Sequence, residues 1–169
     1  AKQTLENVPV ALDRLVGEAV LRFLSRADAA SVDLGAKGID HAVVVQGNAA
    51  LIEGILNNLI DNALRYGRAE HGESHITVSV EQTYDHVTLS VIDNGSGVPN
   101  DKLQQISQRW VQGAAGEALK AGMGLGLAIV GTYAKLLDAR VDLKSLQPHG
   151  FGVSVVFTTS HAHHQSTDH

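Results

Sequence analysis

Residues 49–67 read AALIEGILNNLIDNALRYG, and the spacing of their apolar positions sets the reading of the chain. At about 100° per residue, Ile52, Ile55, Leu56, Leu59, Ile60 and Ala63 fall on one stripe. A helix over 49–66 follows, with Asn48 as its cap and Gly67 as its stop. Glu53, Asn57 and Asp61 fall on the opposite side and read as solvated polar residues. Asn58, Asn62 and Arg65 lie on a flank between the two, within about 60° of one another. Carbonyl oxygens suit a hard cation such as Mg²⁺ and a guanidinium suits phosphate, so this flank can meet an anionic ligand with its metal. The competing reading is a helix with a polar side and no ligand. Angular clustering does not decide between them.

Working outward, 76–81 and 87–91 alternate Ile, Val and Leu with Thr, Ser and Glu, which predicts an antiparallel hairpin. Its second strand runs into Asp93-Asn94-Gly95-Ser96-Gly97. A carboxylate at the end of a buried strand needs donors, and Gly95 and Gly97 allow positive φ and close approach to a flat ligand. DNG is also an ordinary turn string. Upstream, apolar spacing predicts a helix over 10–29, then short strands at 31–34 and 42–45. Downstream, a short helix is expected over 100–108 and a mobile Gly/Ala-rich loop over 111–124. A helix over 125–137 and strands at 140–145 and 152–158 follow. Glycines 122, 124 and 126 run into that helix and present free N–H groups to an anion, or form a hinge. The irregular alternation favours an α/β two-layer sandwich, a mostly antiparallel mixed sheet with helices packed on one face.

Composition excludes several classes. The chain has 169 residues, a formal net charge of −5 and 44% hydrophobic residues, enough for one domain with a sizeable core. It has no cysteine, hence no disulfide, thiolate metal site or cysteine nucleophile. The acidic balance argues against nucleic acid as a partner. No apolar run approaches a membrane span, so direct membrane contact by this domain is not expected.

NNLIDNALRY at 57–66, VIDNGSGVP at 91–99 and GMGLGLAIV at 122–130 stand in order and at fitting distances. Together they resemble the N, G1 and G2 boxes of the catalytic ATP-binding domain of sensor histidine kinases, in the superfamily shared with gyrase, heat-shock chaperone and mismatch-repair ATPases. The resemblance covers roughly residues 8–158 and implies the Bergerat-type fold, ATP and Mg²⁺ as cofactors, and transfer of the γ-phosphoryl group to a protein histidine. It implies Asn62 as the Mg²⁺ ligand supported by Asn58, Arg65 at the phosphates, and Tyr66 along the nucleotide. Asp93 would accept the adenine amino hydrogen beside Gly95 and Gly97. Gly122, Met123, Gly124, Leu125, Gly126 and Leu127 would form the hinge and line the triphosphate. Hydrolysing members carry a Glu one turn before the metal-binding Asn. Asn58 stands there in this chain, so catalysis is assigned to Asn58 and Arg65 without a resident base for water.

Two departures stand out. The F box would fall at 107–112, where Ser107 replaces an apolar anchor and Gln112 a common Arg, leaving Arg109 and Lys120 as γ-phosphate candidates. The phosphoacceptor motif is absent: His41, His71, His75, His86 and His149 all lack its context. The expected division is a remnant of a dimerisation helix and linker at 1–9, the ATP-binding domain at 10–159, and a disordered His-rich tail at 160–169. The chain starts without Met, as a cut-out piece or a processed chain would. Its expected partners are its own dimerisation and phosphoacceptor domain and a response regulator, with this piece a cytoplasmic monomer and the full-length protein in the bacterial inner membrane. A gyrase-type ATPase clamp and a non-catalytic nucleotide-sensing module are the alternatives.

Overall fold

The computed structural model describes residues 6–97 and 124–159. Among them the order is β1 (Val8–Ala11), α1 (Leu12–Ala29), β2 (Val32–Lys37), β3 (Val44–Gly47), α2 (Ala49–Tyr66), β4 (Ser74–Gln82), β5 (His86–Asp93), α3 (Gly124–Leu136), β6 (Arg140–Ser145) and β7 (Phe151–Thr158).

Helix α2 has the bounds its periodicity predicts. Asn48 Oδ1 accepts from Leu51 N–H at 3.1 Å, and Gly67 N–H closes the last turn on Ala63 O at 2.8 Å. The apolar stripe from Ile52 to Ala63 is buried throughout. The predicted hairpin also forms: β4 and β5 are antiparallel, with Val78 opposite Val91 and Val80 opposite Leu89.

The main sheet has the order β2-β4-β5-β7-β6, antiparallel except where β2 runs parallel to β4. Ile76, Val78, Leu89, Val91, Val153 and Val155 face the helices and are buried. The alternate positions, Thr77, Ser79, Thr88 and Ser154, form a polar opposite face. The period-two pattern therefore places the core on one side of the sheet, as expected for a two-layer sandwich.

The amino-terminal segment differs from its prediction. Val10 was expected in the helix, but residues 8–11 form a strand paired with β3, Val10 opposite Val45, and the helix opens at Leu12. A β-branched residue fits both periods, and a partner distant in sequence decides. The carboxylate of Asp13 in the first turn accepts from Val43 N–H at 3.0 Å and pins α1 to the approach to β3. Strand β2 also runs to Lys37, three residues beyond its predicted end. The short helix at 100–108 and the tail at 160–169 lie outside the described residues, as does the loop at 111–124 up to residue 123.

Candidate nucleotide site

The flank of α2 opens on a cavity of about 250 Å³ between α2 and α3. Asn58, Asn62, Arg65 and Tyr66 line it, together with Gly126 and Ile129 of α3. The three flank residues grouped by angle therefore share one cavity. Asn58 Nδ2 donates to Gly54 O at 2.7 Å, which leaves its Oδ1 facing Gly126. A Cβ at Gly126 would stand 3.3 Å from that oxygen, so the glycine admits the carboxamide between the helices. Asn62 is buried, and among the described residues its side chain makes no hydrogen bond. A buried carboxamide without partners is costly, and its carbonyl suits the hard-oxygen preference of Mg²⁺. Among the described residues no group of three or more His, Asp or Glu could hold a metal ion.

Asp61 corrects the sequence reading. Instead of a solvated residue on the far side, it lines the same cavity and forms ion pairs with two arginines. Asn57 is likewise engaged, its Oδ1 accepting from Arg22 at 2.7 Å. The i, i+4 spacing of Asp61 and Arg65 is a signal the sequence carries; the third partner, Arg26 of α1, is not.

Asp93 ends β5, buried at 7% exposure, and its Oδ1 accepts from Gly95 N–H at 2.9 Å. It does not line the α2–α3 cavity; Gly67, next after Tyr66, connects the two. A Cβ at Gly67 would run into the Asp93 carboxylate, and one at Gly95 would come within 2.7 Å of Gly67 C. Gly95 is thus required by close backbone contact inside the protein and not by positive φ, a correction to the sequence reading. Gly97 does have positive φ, +82°, with Gly150 O 2.9 Å from where a Cβ would be. Asn94 fastens the turn to β4: its Oδ1 accepts from His75 N–H at 2.7 Å and its Nδ2 donates to Glu73 O at 2.8 Å. The turn reading of DNG and a ligand role for Asp93 are therefore compatible, because Asn94 holds the turn.

Leu127 is fully buried in the core, so its side chain stays away from the cavity and only its backbone is left for a ligand. Gly124 and Leu125 are the first residues of α3. Arg109, Lys120, Gly122 and Met123 lie outside the described residues, as does the F box with Ser107 and Gln112.

Burial pushes the Asp93 carboxyl up to about 6, against the backbone N–H groups of Gly95 and Phe151, which favour the charged form. The folded chain then holds this proton more tightly than the unfolded chain. The contribution to stability is full below the ordinary value of 3.8 and is lost as pH rises through about 6. The stability difference between wild type and Asp93→Asn should therefore move against the wild type between pH 4 and pH 7. Urea unfolding at both pH values measures it, and a constant difference would contradict the buried carboxylate.

Among the described residues no helix is long and apolar enough to cross a membrane. The model of the family described as histidine kinase-, DNA gyrase B-, and HSP90-like ATPase matches residues 47–162. Sensor protein CreC of Escherichia coli is 37% identical over 133 residues, covering 76% of this chain and 27% of that protein. Sensor protein CutS of Streptomyces coelicolor is 32% identical over 160 residues, covering 93% of this chain and 36% of that one. The chain thus spans about a quarter to a third of these relatives' length. The solved catalytic domain of histidine kinase ThkA superposes with a TM-score of 0.73 at 18% identity, covering 92% of this chain and 98% of that one, a likeness of fold. With its main sheet, its α2 flank and its matched stretch of more than half the sequence, the chain belongs to the histidine kinase-, DNA gyrase B- and HSP90-like ATPase family.

Proposed function

We propose that this chain is the catalytic domain of a sensor histidine kinase, which binds Mg–ATP and transfers the γ-phosphoryl group to a histidine on a separate dimerisation domain, for relay to a response regulator. The observation that carries the reading is Asn62, buried in the α2–α3 cavity with no hydrogen bond to its side chain among the described residues, with the buried Asp93 carboxylate against Gly67 at the end of the same helix. Asp93 would accept from the adenine amino group; Asn62, with Asn58 in support, would hold Mg²⁺ on the phosphates; Arg65 would take phosphate oxygens. Mg²⁺ would supply neutralisation of the triphosphate charge. The full-length relatives are sensor proteins by name, and a membrane-anchored whole with this domain on the cytoplasmic side follows that likeness.

Transfer breaks the bond between the γ-phosphorus and the β–γ bridging oxygen and forms one to an imidazole nitrogen. ADP leaves, and the imidazole proton passes to a base from the acceptor's domain. The protein's part is positioning and charge neutralisation. Water is a poor competitor because Asn58 is no base. Asp61, the carboxylate among the described residues lining the cavity, is tied to two guanidinium groups.

The test supplies a histidine-bearing dimerisation domain in trans and follows acid-labile phosphate on it from labelled ATP. Transfer with little phosphate release supports the reading; steady phosphate release without transfer would sink it in favour of an ATPase clamp. In the same assay Asn62→Ala should reduce transfer at least about tenfold, the scale of a lost interaction with a charged group. Calorimetric titration of that variant with ATP should no longer depend on Mg²⁺. A variant that keeps the Mg²⁺ dependence refutes the metal role.

A further inference from the structure

Arg26, on α1 and outside all three boxes, pairs with Asp61, which lines the α2–α3 cavity. Its Nη1 lies 2.5 Å from Asp61 Oδ1, and its guanidinium sits over the Phe23 ring with the centroid 5.9 Å away. Arg65 meets the same carboxylate from within α2, its Nε 3.3 Å from Oδ1 and 3.1 Å from Oδ2. One anion therefore holds two cations.

We infer that Asp61 and Arg26 are positioning residues for Arg65 in binding the nucleotide's phosphates, an inference that rests on the function proposed above. Asp61 grips Arg65 by Nε, the side of the guanidinium. Among the described residues both terminal nitrogens are left without a partner, and those form the fork that matches phosphate oxygens. A long, 62%-exposed side chain would otherwise give up much of its rotamer freedom on binding; the pair with Asp61 removes part of that freedom in advance. A carboxylate beside a triphosphate would by itself repel it. Arg26 cancels that charge, so the three groups carry a net charge of +1. Phe23 holds Arg26 in place from behind. Asp61 serves phosphate binding only because a helix far from it in sequence neutralises it.

The experiment titrates the chain with Mg–ATP and, separately, with adenosine, which lacks phosphates. Asp61→Asn should weaken ATP about fivefold, with adenosine unchanged within about twofold. In an Arg65→Ala background the same substitution should have no further effect on ATP, because its action runs through Arg65. Arg26→Gln changes an exposed side chain and should weaken ATP about threefold, again sparing adenosine. Unchanged or tighter ATP binding by Asp61→Asn overturns the inference, as does a loss that persists without Arg65 or an equal loss for adenosine. If Asp61→Asn does not fold, Arg26→Gln decides by the same criteria. A wild type that binds neither ligand overturns the nucleotide reading and this inference with it. A wild type that binds both, beside insensitive variants, overturns this inference alone.

Discussion

Asp93→Asn should weaken ATP binding at least tenfold and leave the fold no less stable at pH 8. A carboxylate accepting from an amino group makes a charge-assisted hydrogen bond of about 1.5–3 kcal/mol, and each 1.4 kcal/mol is about a factor of ten in affinity. Asn keeps one acceptor oxygen but turns the other position into a donor, which faces the amino donors of adenine badly. The same change should erode the preference for ATP over GTP. Stability moves the other way because the native carboxylate is charged against its surroundings: burial pushes it up to about 6, so at pH 8 it is ionised at a cost that Asn does not carry. The Asn oxygen can still accept from Gly95 N–H. Calorimetry with ATP and GTP, and denaturation at pH 8, check both halves. Unchanged ATP affinity would remove the adenine assignment, and a large loss of stability would show that Asp93 serves the fold.

Gly67→Ala should destabilise the chain by about 1–3 kcal/mol, the usual range for overpacking, and impair the nucleotide site with it. Local preference argues the opposite sign. Gly67 has φ −96°, which any residue adopts, so at a helix end alanine would be neutral or mildly helpful. Tertiary crowding reverses it: the new Cβ would meet the Asp93 carboxylate and lie 2.8 Å from Ala63 O, with the Gly95 backbone pressed against the same residue. Ala63 O is backbone and cannot swing aside, and the Asp93 carboxylate is tethered at its other oxygen by Gly95 N–H. Gly35→Ala is the control, since nothing lies within 4 Å of a Cβ there, and it should be neutral or slightly stabilising. Equal effects at the two positions would mean that crowding at Gly67 is relieved by small shifts.

Helix α2 and the β4–β5 hairpin were legible because their causes are short-range. Periods of 3.6 and 2, the Asn48 cap and the Gly67 stop depend on neighbours a few residues away. The grouping of Asn58, Asn62 and Arg65 was legible for the same reason: helical geometry converts spacing into direction. Residues 8–11 misled because Val10 suits either period, and its pairing with Val45 is invisible to a local rule. Asp61 misled because a carboxylate opposite an apolar stripe reads as solvated until Arg26 arrives from another helix. The positive φ expected at Gly95 misled because its real constraint is long-range: its backbone contact with Gly67 joins a turn to a helix end 28 residues earlier in the chain. Sequence alone thus determined α2, the β4–β5 hairpin, the two-layer class and the grouping of Asn58, Asn62 and Arg65 on one flank, since sterics and hydrogen bonding along the chain carry them. Only the tertiary structure decided the strand order, the charge state favoured at Asp93 and the sharing of Asp61 by two arginines, because burial and charge pairing depend on which distant segments the fold brings together.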